Sequence, residues 1–377
     1  MLALRVLLTL LPALAAGRTL PGVSEPSAET TPIALQGGTR PLDTDGNELR
    51  AHGGGLVRHE GLWWWVGTSQ KVGDALCSTH VNVYSSEDLR SWSHRGVAFT
   101  WQQITGFPDV SPYGHLERPP PPYRIERPKV LFNAVHRRWT LFFHLDTPNF
   151  EVPAVGVAIS NNITGPYTWV RHIFPDNNTS YDMTVYQDPA SGDAYLVRSC
   201  PVMTIAVSRL HPDWLDTDGL CSKTGLGAEG PAVFHANGRH YIFASHLTGW
   251  APNPPLLHES TAGMCSTAWR LLPQPSHGPL AGITYDAQST FIHTHTFSDG
   301  QHLLLWMGDR WNAQGPGGVG NATYVWLPLL PRAGGQGFEL VWAEGWTLAQ
   351  YKGAVWDEAA RGVRFAGERQ GGAAAVS

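Results

Sequence analysis

Five times along the chain a short apolar run turns back on itself. Ala51 to Val57 turns at His59-Glu60-Gly61 into Leu62-Trp63-Trp64-Trp65-Val66. Glu126 to Phe132 turns through His136-Arg137-Arg138 into Trp139 to Phe143. Asp182 to Tyr186 turns through Pro189 to Gly192 into Ala194 to Val197. Glu229 to Phe234 turns at Asn237-Gly238 into His240 to Ser245, and Gln288 to Ile292 turns at Ser298-Asp299-Gly300 into His302 to Met307. Runs this short, bounded by Gly, Pro, Asn and Asp, predict strands joined as hairpins. Asn237-Gly238 is the clearest turn, because a two-residue loop needs positive φ at both positions.

Four further apolar runs lie between these units: Val81 to Tyr84, Val155 to Ile159, Thr204 to Val207 and Tyr324 to Leu327. Residues 338–348 supply a last strand or two, and no amphipathic helical run of useful length is present. Units spaced by roughly 45 to 75 residues, each with two or more strands, are the signature of a β-propeller. The expectation is an all-β, five-bladed β-propeller over 46–350. A signal peptide is expected over 1–17, a flexible lead-in over 18–45, and a partly disordered C-terminal extension over 351–377.

Each unit opens with a polar residue. In a propeller the innermost strands start at one end of the channel, so His52, Glu126, Asp182, Glu229 and Gln288 should ring one mouth. A lone acid at a strand start is ordinarily a solvated turn residue. Three carboxylates and a carboxamide in equivalent places point to a site instead.

Composition narrows the class. The 377 residues are 42% hydrophobic and 15% charged, enough for a large core, and carry 16 Trp, 41 Gly and 29 Pro. A net charge of −5 without a basic run excludes nucleic acid and anionic membranes as partners. The first residues read as a secretory signal cleaved near Ala15 to Gly17, which predicts a secreted, extracellular or cell-wall protein, working as a monomer. Sequons at Asn162, Asn177, Asn178 and Asn321 fit a glycoprotein. The four cysteines lack metal spacing and allow three pairings. Cys200 with Cys221, closing a short loop between two hairpins, is the expected disulfide.

Carboxylates converging on an aromatic-rich cleft are what glycoside hydrolysis requires. One acid protonates the leaving oxygen while an opposed group activates water, the two standing roughly 6.5–9.5 Å apart for inversion. Trp250 and Trp311 lie just beyond second strands, where they would stack on sugar rings. Other motifs read blandly. His52-Gly53-Gly54-Gly55 looks like an esterase oxyanion loop, but no Gly-x-Ser-x-Gly supplies a nucleophile. His293 and His295 share a strand face without a third metal ligand. Glu117-Arg118-Pro119 duplicates a later motif but is followed by prolines, so Glu117 is expected in a loop.

The sequence resembles glycoside hydrolase family 43. The likeness rests on Ala51-His52-Gly53-Gly54-Gly55, Tyr84 to Leu89 with Trp92, Glu126-Arg127-Pro128-Lys129-Val130 and Gly165-Pro166-Tyr167. It continues through Thr248-Gly249-Trp250, Gly308-Asp309-Arg310-Trp311 and Tyr324 to Pro328, in order, from about residue 36 to 348. Within the family it is similar to the exo-β-1,3-galactanase branch. The resemblance implies a five-bladed propeller acting by inversion on galactose-containing polysaccharide or oligosaccharide. Glu229 matches the general acid, Asp182 the carboxylate that tunes it, and Glu126 a third essential acid. The usual aspartate base is missing from the first blade, and Gln288 matches the glutamine that stands in, held as its imidic tautomer by a carboxylate such as Glu126. His52, Phe150 (in place of a tyrosine), Thr248, Gly249, Trp250, Arg310 and Trp311 match the sugar-binding positions. The family's Glu-Ala-Pro-Ala around the acid is Glu-Gly-Pro-Ala here. No cofactor is implied, and a cation in the central channel is left undecided. Two other readings stand beside this one: an arabinofuranosidase or xylosidase of the same fold, and a sugar-binding propeller without catalysis.

Overall fold

A computed structural model describes residues 27–35, 38, 40–70, 78–107, 110–111, 114–115, 121–200, 204–225, 227–368 and 374–375. The expected signal peptide, Cys77 and Glu117 lie outside the described residues.

Five four-stranded antiparallel sheets form the blades of a five-bladed β-propeller. Blade I is His52–His59, Leu62–Thr68, His80–Ser86 and Ser93–Thr100. Blade II is Arg124–Asn133, Arg138–Asp146, Ala154–Ser160 and Thr168–Ile173. Blade III is Met183–Gln187, Ala194–Cys200, Thr204–Leu210 and Thr217–Lys223. Blade IV is Glu229–Ala236, Arg239–Ser245, Pro255–Ser260 and Arg270–Leu271. Blade V is Gln288–Thr296, His302–Arg310, Thr323–Pro331 and Phe338–Leu340. Helix among the described residues is confined to single 3-10 turns.

The hairpin turns obey the local chemistry. Glu60-Gly61 and Asn237-Gly238 both adopt positive φ, at 49° and 78° and at 53° and 72°, matching the right-handed twist of the strands they join. Innermost strands of neighbouring blades touch all the way round, I to II, III, IV, V and back to I.

Each blade uses one continuous piece of chain, so no exchanged strand fastens blade V to blade I. Aromatic packing and hydrogen bonds do it, the Ala51 and Gly53 N–H groups donating to the Tyr324 hydroxyl and the Asp309 carboxylate. Trp65 of blade I lies 4.7 Å from both Tyr324 and Trp326 of blade V, edge to face, and 5.3 Å from Trp92. The Trp346 indole donates to the Trp326 carbonyl at 3.0 Å. Residues on both sides of the propeller lie over this seam. Ile33, fully buried, bridges to Trp346, so part of the stretch expected as a flexible lead-in is packed. Within the expected C-terminal extension, Val355–Asp357 and Gly362–Arg364 form a hairpin that buries Trp356 and Val363.

The disulfide differs from the expected one. Cys221 bonds Cys265, with Cα atoms 4.9 Å apart, and joins the outer rims of blades III and IV. Cys200 is a buried thiol. Its strand is second in blade III and that of Cys221 is fourth. Two strand spacings, about 9–10 Å, exceed the span a disulfide bridges. A short loop in sequence is therefore a long gap in the sheet.

Trp326 is 1% exposed at the seam. Trp326→Ala should cost about 3–5 kcal/mol, the usual range for emptying a buried aromatic site, read as a lower midpoint in urea denaturation.

Candidate active site

Four of the five inner strands slip register within their first few residues: between His52 and Gly55, Glu126 and Lys129, Glu229 and Ala232, and Ser289 and Phe291. A bulge at this point re-aims the leading side chain. The residue that follows His52, Glu126 and Glu229 takes the left-handed conformation in each case: Gly53, Arg127 and Gly230, at φ 59°, 52° and 59°. At Gly230 a Cβ would come within 3.1 Å of the Gln288 Cγ, so the glycine lets blade V approach blade IV.

Glu126, Asp182, Glu229 and Gln288 meet on one cavity of about 470 Å3. Phe150 and Tyr181 line it as well, as do Gly249, Trp250 and Trp311. Trp250 and Trp311 stand edge to face, with centroids 5.0 Å apart.

Arg127, next to Glu126 and 5% exposed, is the cation that joins these groups. Its Nε and Nη2 donate to the two carboxylate oxygens of Asp182 at 3.0 and 2.7 Å. Nη1 donates to the Ser289 carbonyl at 2.7 Å, and Nη2 also donates to the Gln288 carbonyl oxygen. Asp182 further accepts the Gly230 backbone N–H at 3.0 Å, which holds it beside the acid of the next blade.

Burial, then the Asp182 charge, pushes the Glu229 carboxyl up to about 8, so it carries a proton at neutral pH. Glu126 goes the other way. Burial alone would raise it, but His144, Arg124 and Arg127 together hold it below the ordinary carboxylate range. Two acids in one cavity thus stand in opposite protonation states, the arrangement that acid–base chemistry at a single centre requires.

The Gln288 amide is fully engaged. Its carbonyl oxygen accepts from Arg127 and from the Trp311 indole at 2.8 Å, and its NH2 donates to Glu229 at 3.1 Å and Ser245 at 2.9 Å. Arg127 and Trp311 offer only donors, so the oxygen must face them. The acid bonded to Gln288 is Glu229, not Glu126 as expected.

Under the mouth, Lys129 is 1% exposed and donates to the Gly53 carbonyl at 2.6 Å. Burial pushes its ammonium well below the ordinary lysine range. A Cβ on Gly55 would come within 2.8 Å of the Lys129 Cδ, so the glycine run of blade I makes room for this side chain.

Three expected sugar-binding residues stand elsewhere. His52 is 1% exposed beneath the cavity, stacked on Tyr324 at 4.5 Å, with Nδ1 3.5 Å from Asp309. Arg310 turns away, pairing with Asp286 at 3.1 Å and donating to the Tyr285 carbonyl. It thereby supports Thr284, Tyr285 and Asp286, three successive left-handed residues just before Gln288. Thr248 gives its backbone N–H to Glu229, while its hydroxyl bonds the Ala251 carbonyl at 2.6 Å. His293 and His295 pack against the Trp63 indole.

Arg127, His144 and Tyr181 escaped the sequence reading. Arg127 had a signal: three acids drawn together need a buried counter-charge, and the arginine follows Glu126 directly. His144 and Asp146, two apart at a strand end, share one face, a weaker signal.

No protein-family model matches the sequence, and no curated protein matches it. Solved structures do. A variant exo-β-1,3-galactanase from Phanerochaete chrysosporium, bound to β-1,3-galactotriose, is 28% identical over 84% of this chain and 68% of its own, with a TM-score of 0.71. An exo-β-1,3-galactanase from Clostridium thermocellum is 28% identical over 83% of this chain and 67% of its own, at 0.71. A family-43 β-1,3-galactosidase bound to galactodeoxynojirimycin is 26% identical over 84% of this chain and 100% of its own, at 0.71. By fold and by these likenesses, the chain is similar to the exo-β-1,3-galactanases and β-1,3-galactosidases of glycoside hydrolase family 43.

Proposed function

We propose that this chain is a secreted, monomeric, exo-acting enzyme that removes galactose from β-1,3-linked galactan with inversion at the anomeric carbon. One observation carries the reading: Glu229 is protonated beside an Arg127-clamped Asp182, in the same cavity as an ionised Glu126. Galactose and the β-1,3 linkage come from the likeness to the galactotriose-bound enzyme.

In the proposed reaction Glu229 gives its proton to the glycosidic oxygen as the bond from that oxygen to the anomeric carbon breaks. Water adds to the anomeric carbon from the opposite face and loses a proton to a base. Asp182, fixed by Arg127, keeps Glu229 protonated until the leaving oxygen needs the proton. Trp250 and Trp311 supply apolar faces for the sugar rings.

The family pattern gives water activation to Gln288. The imidic tautomer is basic at its nitrogen and carries a hydrogen on its oxygen, but Arg127 and Trp311 present only donors to that oxygen and leave its O–H no acceptor. The nitrogen is meanwhile engaged with Glu229 and Ser245. This favours a second reading, in which Glu126 takes the water proton and Gln288 orients Glu229. Azide separates the two, because a small anion replaces a missing base in an inverting site. Recovery of turnover as α-galactosyl azide in Gln288→Ala alone supports the first reading, and recovery in Glu126→Ala alone supports the second.

Purified protein should release galactose from β-1,3-galactobiose, with the α-anomer formed first by NMR. Arabinose or xylose release from aryl glycosides instead would move the assignment to the arabinofuranosidase or xylosidase reading. Glu229→Gln should lower kcat by a factor of about 10^2–10^4, the usual worth of a general acid, while galactobiose still binds by calorimetry. Loss of hydrolysis in every assay with intact sugar binding by the wild type would leave a binding propeller.

The acid form of Glu229 is the active one, so the rate should fall as pH rises through about 8. Asp182→Asn removes the negative neighbour that favours the proton, so this alkaline limb should move to lower pH. An unmoved limb in Asp182→Asn would separate Asp182 from the tuning of the acid.

A further inference from the structure

Behind Glu126 stands a row of buried titratable groups that the proposed reaction does not use. Asp146 is fully buried, and its Oδ1 accepts the backbone N–H groups of Thr147 and Val152 at 2.7 and 2.9 Å. Its Oδ2 faces the His144 Nε2 at 3.1 Å. His144 is 2% exposed, and its Nδ1 lies 3.6 Å from the Glu126 Oε2. Glu126 and His144 are cross-strand partners in blade II, so backbone pairing fixes their separation. The row runs Asp146, His144, Glu126, cavity.

A neutral imidazole has one N–H and one lone pair. Between two carboxylates it would aim that lone pair at an anion. Only the doubly protonated ring offers a donor to each side. We infer that the buried His144–Asp146 pair is a positioning device, with His144 standing as an imidazolium that keeps Glu126 anionic and aimed into the cavity.

The surroundings agree. Ser78 Oγ and the Arg124 guanidinium each lie 3.3 Å from the other Glu126 oxygen. Arg124 is shared, since its Nε donates to the Pro148 carbonyl and its guanidinium covers the Phe150 ring at 4.1 Å. Arg127 adds positive potential, but its donors go to Asp182, Gln288 and Ser289. Tyr181 meets the imidazole edge to face at 6.0 Å, and Phe150 lies 6.3 Å from it on another side. Burial alone would discharge His144, but the hydrogen bond to Asp146 and the charges of the two carboxylates push it up to about 9. With its folded value above the unfolded one, the stability this row contributes is complete below about pH 6.5 and is lost as pH rises through about 9.

The inference rests on the proposed reading only in needing Glu126 as a working carboxylate, so the test has two arms. The first uses no substrate. In protein labelled with 15N-histidine, His144 should show both ring nitrogens protonated at pH 7, and Asp146→Asn should move its titration to lower pH. A neutral His144 ring at pH 7 would overturn the inference, whatever the enzyme acts on. The second arm is His144→Gln, which keeps a donor and removes the charge. The acid limb of kcat/KM should rise by about one pH unit or more. An equal loss at every pH, with the limb unmoved in a folded variant, would leave His144 a packing residue. If the variant does not fold, the labelled wild type decides. If the wild type hydrolyses no galactoside, the proposed function falls and the first arm still judges the imidazolium.

Discussion

One guanidinium lets three acids share a channel mouth. An unpaired buried charge costs several kcal/mol, and carboxylates brought together raise one another's affinity for protons. Arg127 settles this unevenly. It spends two donors on Asp182 and the rest on blade V, and it leaves Glu229 with burial and a neighbouring anion. Glu126 has a separate supply of positive charge from His144 and Arg124. Unequal access to cations, more than the number of acids, is what divides the roles at this site. Arg127 makes these contacts from a left-handed backbone at the bulge, a conformation uncommon for a residue with a Cβ.

Much of this was legible before any coordinates. The inner strands begin where turn chemistry ends and a polar residue precedes an apolar run, so Glu126, Asp182, Glu229 and Gln288 could be set on one mouth from spacing alone. The outer strands were harder. Ser93–Thr100, Thr168–Ile173, Thr217–Lys223 and Arg270–Leu271 are half exposed and polar, and edge strands need little apolar patterning. The errors share a cause. In a strand, successive side chains point to opposite faces and a bulge resets the count, so a correct segment does not give a correct direction. His52 opens its strand as Glu229 does, yet points down to Tyr324. Arg310 sits beside Trp311 and faces the other way. Cys200 and Cys221 are near in sequence and two strands apart in space.

Ring closure follows a different economy from the blades. Within a blade, a ladder of backbone hydrogen bonds fixes the register; between blades V and I, indole and phenol contacts are joined by individual hydrogen bonds, the Ala51 and Gly53 N–H groups donating to the Tyr324 hydroxyl and the Asp309 carboxylate. Segments from before blade I and after blade V, joined at Ile33 and Trp346, cover this joint and shield its apolar surface.

The glycine after the acid links two distant positions. A methyl group at 230 would press on the Gln288 side chain at 3.1 Å, on a backbone that already disfavours any side chain. An alanine at 230 would therefore have to displace the Gln288 side chain or run the chain through another conformation. Gly230 and Gln288 are in that sense one fit written at two addresses, and changing either alone would keep only half of it.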